Sequence, residues 1–308
     1  MRPHLPILLL IAWAFAAECA GQHTPLTSQY LFNGLVINPA YAGSRDVLSA
    51  TLTHRQQWVG FEGAPVTQTL GLHAPIKRSP VGLGIMIYND RIGVSNETGI
   101  LTNYAYRIRM PNKAKLALGF GAGFSLYRAK WTQVAITDGN DASFAADTRG
   151  AIRPNFSAGA LYQNKVWYVG ASVPFLLAHR YDMVNREYRL ANEKLDFQPM
   201  LTGGYLFILN DEFKLKPTSL LRYRLETGLQ GDVSANLIYR DKVWLGASVR
   251  TGDSIIGMLE VLPTPQWRVG YAYDVGISSL RPYHRGSHEL LVQYEFGYRI
   301  RVRDPRYF

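Results

Sequence analysis

Cysteine is nearly absent from this 308-residue chain, whose one copy, Cys19, lies close to the N-terminus. No disulfide framework can therefore hold the chain together. Charge is also scarce at 18%, against 47% hydrophobic and 12% aromatic residues, which excludes a disordered polar chain. Acids are fewer than bases, 23 against 33, leaving a net charge of +10. Beyond the first residues there is no long apolar run, and mean hydropathy is −0.09. A bundle of membrane helices is excluded, because each helix needs about 20 nearly uninterrupted apolar residues. One membrane class survives this filter, a barrel whose strands alternate apolar and polar residues.

The first 21 residues read as a secretory signal peptide. Arg2 and His4 precede an apolar run from Leu5 to Ala17, and Cys19-Ala20-Gly21 offers small residues for cleavage before Gln22. The run is about 13 residues, too short for an anchoring helix. Glu18 stands where a lipoprotein signal wants a small residue, which argues against lipidation of Cys19. Removing the segment takes away one base and one acid, so the mature chain keeps its +10 and has no cysteine.

What the remainder contains is period-two alternation in segments of about ten residues, the signature of strands. From Ala114 to Leu126 the even positions are apolar, including Leu118, Phe120 and Phe124, while the odd ones are small or polar, including Lys115, Gly119 and Ser125. Trp267, Val269, Tyr271 and Tyr273 alternate with Arg268, Gly270, Ala272 and Asp274, and Leu290, Val292, Tyr294, Phe296, Tyr298 and Ile300 with Glu289, Gln293, Glu295 and Arg299. Fourteen strands are expected, near 47–57, 66–74, 81–88, 99–108, 114–126, 154–163, 165–173, 197–208, 213–224, 231–240, 242–250, 254–262, 266–274 and 287–300. The segments 160–173 and 237–249 echo each other around Asn164-Lys165-Val166-Trp167 and Asp241-Lys242-Val243-Trp244, both phrased as strand, tight turn, strand.

Connections after even-numbered strands are short, whereas those after odd-numbered strands are generally longer, above all Tyr127 to Arg153 and Pro174 to Asp196. Short turns on one side and long loops on the other are expected of an all-β, transmembrane, antiparallel up-and-down barrel in a bacterial outer membrane. A soluble β-sandwich has no reason to segregate loop lengths in this way. Lipid cannot satisfy backbone N–H and C=O groups, so spanning strands must close, with apolar side chains outward and polar ones permitted inward. Tyr88, Tyr106, Trp131, Trp167, Tyr239 and Trp267 are placed near strand ends as interfacial girdles. By parity, Arg55, Arg107, Arg222, Arg224 and Arg268 face inward with Asp232, Glu260, Glu289 and Glu295, in a lumen either locked by ion pairs or able to conduct.

The expected organisation is a signal peptide over 1–21, a periplasmic N-terminal segment over 22–46, a barrel over 47–300 and a short basic periplasmic tail over 301–308. Proline restricts Asn38 to extended or turn backbone and Gly43 permits a positive φ. With Tyr30, Phe32 and Tyr41, this segment reads as a lumen plug, a docking surface for a partner, or a simple brace at the strand entry. Trp58 and Phe61 belong to a loop that contacts cargo or only closes the barrel mouth. The basic residues Lys77, Arg78, Lys113 and those near them cluster in the short turns, where an acidic periplasmic partner would meet them or water would solvate them. Asn38, Pro39, Tyr41, Gly43, Trp58, Phe61, Lys77, Arg78 and Lys113 are the candidate partner-binding residues.

Enzyme signatures are poor. His288-Glu289 lacks the second histidine of a helical zinc motif, Gly119-Phe-Gly-Ala-Gly123 lacks the lysine and helix start of a phosphate loop, and no Gly-x-Ser-x-Gly elbow occurs. Asp138-Gly-Asn-Asp141 misses the full calcium-loop spacing. His54 and His73 point to opposite faces by parity and cannot share a metal. No cofactor is expected, and export makes nucleic acid an implausible partner for the positive charge, part of which anionic lipid head groups can neutralise.

Asn38-Pro-Ala-Tyr-Ala-Gly43, Arg55-Gln-Gln-Trp-Val-Gly-Phe-Glu-Gly-Ala-Pro-Val-Thr-Gln68, Tyr271-Ala-Tyr-Asp-Val-Gly-Ile277 and Gly286-Ser-His-Glu289 together resemble the PorP/SprF family, outer-membrane proteins of the type IX secretion system of Bacteroidetes. The resemblance runs from about Gln29 to Tyr298. It implies a barrel that works with the secretion apparatus, including its periplasmic ring or lipoprotein components. The family includes gliding-motility proteins that export or attach a surface adhesin. A non-enzymatic secretion or attachment component is therefore the expected function, and a general diffusion porin or hydrophobic-solute channel the alternative.

Overall fold

The computed structural model describes residues 27–134, 144, 146–177, 179–182, 187–190, 197–224 and 228–297. Among the described residues seventeen strands follow one another: β1 (Ser49–Gln56), β2 (Val66–Pro75), β3 (Val81–Ile92), β4 (Ser95–Arg109), β5 (Lys115–Ala129), β6 (Thr148–Gln163), β7 (Trp167–Val173), β8 (His179–Asp182), β9 (Glu187–Leu190), β10 (Met200–Tyr205), β11 (Phe207–Ile208), β12 (Phe213–Arg224), β13 (Gly228–Tyr239), β14 (Val243–Arg250), β15 (Ser254–Val261), β16 (Trp267–Gly276) and β17 (Ser287–Glu295). Each wall strand pairs antiparallel with its neighbour in the chain, β10 joins β7 to β12, and β17 returns to β1 with Ser49 opposite Glu295 and Gln56 opposite His288. Fourteen strands thus close a barrel, with β11 a short continuation of β10 and β8–β9 a separate hairpin.

Alternation builds the wall. Along β16 the positions read exposed and buried in strict turn, and the exposed ones are Trp267, Val269, Tyr271, Tyr273 and Val275. Leu118, Phe120 and Phe124 on β5 and Leu245 and Val249 on β14 lie outward in the same way. A continuous apolar exterior of this extent would be an association surface in water but is matched by hydrocarbon. The first turn-side connection runs from Ile76 to Pro80 and others from 110 to 114 and 240 to 242; they define the turn end, and the connections 57–65, 130–147 and 277–286 define the loop end. In an outer membrane the short turns are periplasmic.

Several boundaries differ from the sequence reading for physical reasons. Chain 89–98 is hairpin, not loop, because Gly93 takes φ +56° and lets β3 and β4 continue to Ile92 and Ser95. Loop-end connections are therefore not uniformly long, and 251–253 is another short one. Strand β6 starts at Thr148 rather than after Arg153; its pairing with β7 extends only to Ala158, so Pro154 has a partner on one side and its missing N–H breaks no ladder. The connection after β7 carries the β8–β9 hairpin. Tyr88 is not a girdle residue: it is buried inside, with its hydroxyl donating to Glu97 (2.9 Å), because it shares the inward parity of Met86. The Asp138–Asp141 motif, the signal segment, the tail 301–308 and the last residues of the expected final strand lie outside the described residues.

Candidate functional site

Chain 27–45 lies inside the barrel. The lumen wall offers both polar anchors and apolar faces for these residues. Leu35, Ala40, Tyr41 and Ala42 pack with Ala105, Ala117, Leu161 and Tyr168 of the wall, and Phe32 packs with Leu206, Ile238, Trp244 and Leu291.

The path runs from loop end to turn end. At the loop end, Glu289 accepts the Thr27 hydroxyl (2.7 Å) and the main-chain N–H groups of Ser28 (2.7 Å) and Gln29 (3.0 Å). Two short 3-10 turns follow, Gly34–Val36 and Pro39–Tyr41. Asn33 donates to Thr69 on β2 (2.9 Å), Ser172 on β7 donates to the Ile37 carbonyl (2.6 Å), and Gly43 N–H donates to Nδ1 of His73 (3.2 Å). Asn38 explains the second turn: its Oδ1 accepts Ala40 N–H (2.9 Å) and its amide donates to the Ala160 carbonyl on β6 (3.0 Å).

Glycines in the wall make room for this backbone. A Cβ at Gly119 would collide with the Ala40 main-chain nitrogen, and one at Gly82 with the Ala42 carbonyl. Gly119 and Gly82 are thus beds for the inner segment, whereas Gly121 and Gly123 face atoms of the neighbouring wall strands.

Around the segment the inward charges are paired. Arg55 contacts Asp274 (2.6 Å) and Glu289 (3.1 Å), Asp232 contacts Arg222 (2.6 Å) and Arg250 (2.9 Å), Arg250 also contacts Asp253 (3.2 Å), and Arg268 contacts Glu260 (2.8 Å). Arg45 from the segment lies 3.7 Å from Glu295. The Arg268 guanidinium sits 4.4 Å from the Phe32 ring and 4.7 Å from that of Trp244. Among the described residues these inward charges thus meet one another inside the lumen.

The candidate partner-binding residues fall into three places. Asn38, Pro39, Tyr41 and Gly43 are buried in the lumen against the wall. Trp58 and Phe61 form an edge-to-face pair at the loop end (6.4 Å), beside a cavity of about 310 Å³ that Gln57 and Arg91 also line. Their loop is fixed by main-chain bonds between Val59 and Gly286 and between Arg285 and Val59, both 2.8 Å. Lys77, Arg78 and Lys113 are exposed in turns at the opposite end. Residues that the sequence reading did not count among the inward charges are Arg45, Lys216, Arg250 and Asp274, all buried in the lumen. Parity could have found three of them: Lys216 has the parity of Arg222, Asp274 that of Arg268, and Arg250 is the last inward position of β14.

Comparison with solved structures points to the same architecture. The CymD monoaromatic hydrocarbon channel superposes with a TM-score of 0.51 at 12% identity, over 86% of this chain and 93% of that one. The outer membrane protein Omp33 of Acinetobacter baumannii aligns at 9% identity and a TM-score of 0.47, over 81% of this chain and 98% of that one. The KdgM porin aligns at 12% identity and a TM-score of 0.37, over 81% and 99%. A comparison with curated proteins finds no match. The family model described as type IX secretion system membrane protein PorP/SprF matches residues 20–294. With a closed barrel, an apolar exterior and a match over almost the whole chain, this protein is an outer-membrane barrel that belongs to the PorP/SprF family of type IX secretion system membrane proteins.

Proposed function

We propose that this barrel serves the type IX apparatus as a closed, non-enzymatic component in the export or surface attachment of cargo proteins, rather than as a pore for small solutes. The observation that supports the reading is the occupied lumen: chain 27–45 packs inside it, and inward charges that would line a conduit are paired with one another. Lys77, Arg78 and Lys113 are the candidate contacts for periplasmic ring or lipoprotein components, while Trp58 and Phe61 are those for cargo, in keeping with their placement at opposite ends. The channel reading draws on CymD, described as a monoaromatic hydrocarbon channel, but the likeness at 12% identity extends to the fold alone.

The test is a chromosomal deletion followed by a census of secreted and surface-bound proteins, with co-purification of the barrel from native membranes. Loss of specific cargo from the surface and co-purification of secretion components are expected. Unchanged secreted proteins in the deletion strain would overturn the proposal.

A further inference from the structure

At the turn end a second cavity of about 470 Å³ lies at the barrel rim, where the inner segment ends at Asp46, between the turn after β2 and the β4–β5 hairpin. Its lining is basic out of proportion. Register sets Arg109 of β4 directly opposite Lys115 of β5, and Arg107 lies two residues away on the same face. Like charges directly opposite in a sheet destabilise it. Arg78 approaches from the neighbouring turn, in left-handed backbone at φ +60°, and the turn is tied to β4 by the Arg107 N–H bond to the Pro80 carbonyl (2.7 Å). Against these four cations stands one acid, Asp46, 3.3 Å from Lys115 and 3.9 Å from Arg107. Among the described residues neither Arg78 nor Arg109 has a carboxylate partner.

Such an arrangement is stable when an anion occupies it. Planar guanidinium forks match phosphate oxygens two at a time, and the lysine adds a point charge. We propose that this cavity is a phosphate-binding site, filled by the phosphate of an anionic phospholipid head group or by a free phosphate. Tyr106, which faces lipid and is 46% exposed, lines the same cavity, so the site straddles the rim where head groups sit.

The experiment uses the full chain, purified and reconstituted in phosphatidylcholine nanodiscs. Inorganic phosphate is titrated by calorimetry in one arm, and in the other nanodiscs doped with phosphatidylglycerol are compared by native mass spectrometry for lipid retained on the protein. Arg78→Gln with Arg109→Gln should weaken the interaction at least about tenfold. Lys115→Gln gives the second variant, and heat-modifiable gel mobility reports that each barrel is closed. Because Arg109→Gln also removes the opposed like charges, that variant without phosphate should unfold no more readily than the parent. Saturable binding of inorganic phosphate assigns a soluble source, and preferential retention of phosphatidylglycerol assigns the lipid. Absence of both, or equal binding by the variants, overturns the site.

Discussion

Asp232 holds two guanidinium groups at once, Arg222 at 2.6 Å and Arg250 at 2.9 Å, and all three side chains are almost fully buried. Replacing it by asparagine keeps the shape and removes the charge, leaving two buried cations short of a partner. Breaking such a group from one side costs about 3–5 kcal/mol. Glu212, paired with Arg240 in an exposed turn, is the contrast: Glu212→Gln should cost no more than about 1 kcal/mol. Urea unfolding in lipid vesicles checks both, and similar midpoints for the two variants would refute the assignment. At this scale the sequence was readable through parity alone. Arg55, Arg222, Arg268, Asp232 and Glu289 could be placed inward because strand side chains alternate. Which of them pair was not readable, because partners such as Arg55 and Asp274 are brought together only when the first and last strands meet.

Strands were the most legible elements, since each carries its own period. The inner segment was the least, because it has no period: its two single 3-10 turns and extended stretches gain their shape from the wall. Its residue types admitted a plug, a docking surface or a brace, and the cross-chain contacts of Asn38, Ser28 and Gly43 with the wall could not be read from them. The wall glycines held a clue that alternation hides, because a glycine on the inward parity reads equally as a small lumen residue or as a bed for another backbone. That difference is measurable. Gly119→Val suits a strand by propensity yet meets the Ala40 main chain, so the segment must leave its seat while the barrel stays closed. Limited proteolysis should then cut near residue 40 in the variant and spare the parent. Gly257→Val, where an added Cβ meets nothing within 4 Å, should behave like the parent. Resistance of the Gly119 variant to cleavage would show that the segment tolerates displacement without release.

For the whole molecule the deciding quantity is the width of the ring. Side chains fill a barrel of about eight strands, whereas one of about sixteen leaves an aqueous channel, so a ring of this size is too wide for its own inward side chains and needs a second layer. The inner segment is that layer. It contributes apolar mass through Leu35, Phe32 and Tyr41 and also bridges early and late strands, since Ser28 and Gln29 bond to Glu289 on β17 while Asn33 bonds to Thr69 on β2. Removing residues 27–37 should therefore open a water-filled path and leave the strand ladder intact. In planar bilayers the parent should show no steady conductance, and the shortened chain should show stepwise channels whose current rises with salt. Heat-modifiable mobility confirms closure of the shortened barrel, and Glu289→Gln, which weakens the upper anchor without deleting the segment, should give brief openings between these extremes. A parent protein that already conducts steadily would contradict the closed lumen and return the channel reading to first place.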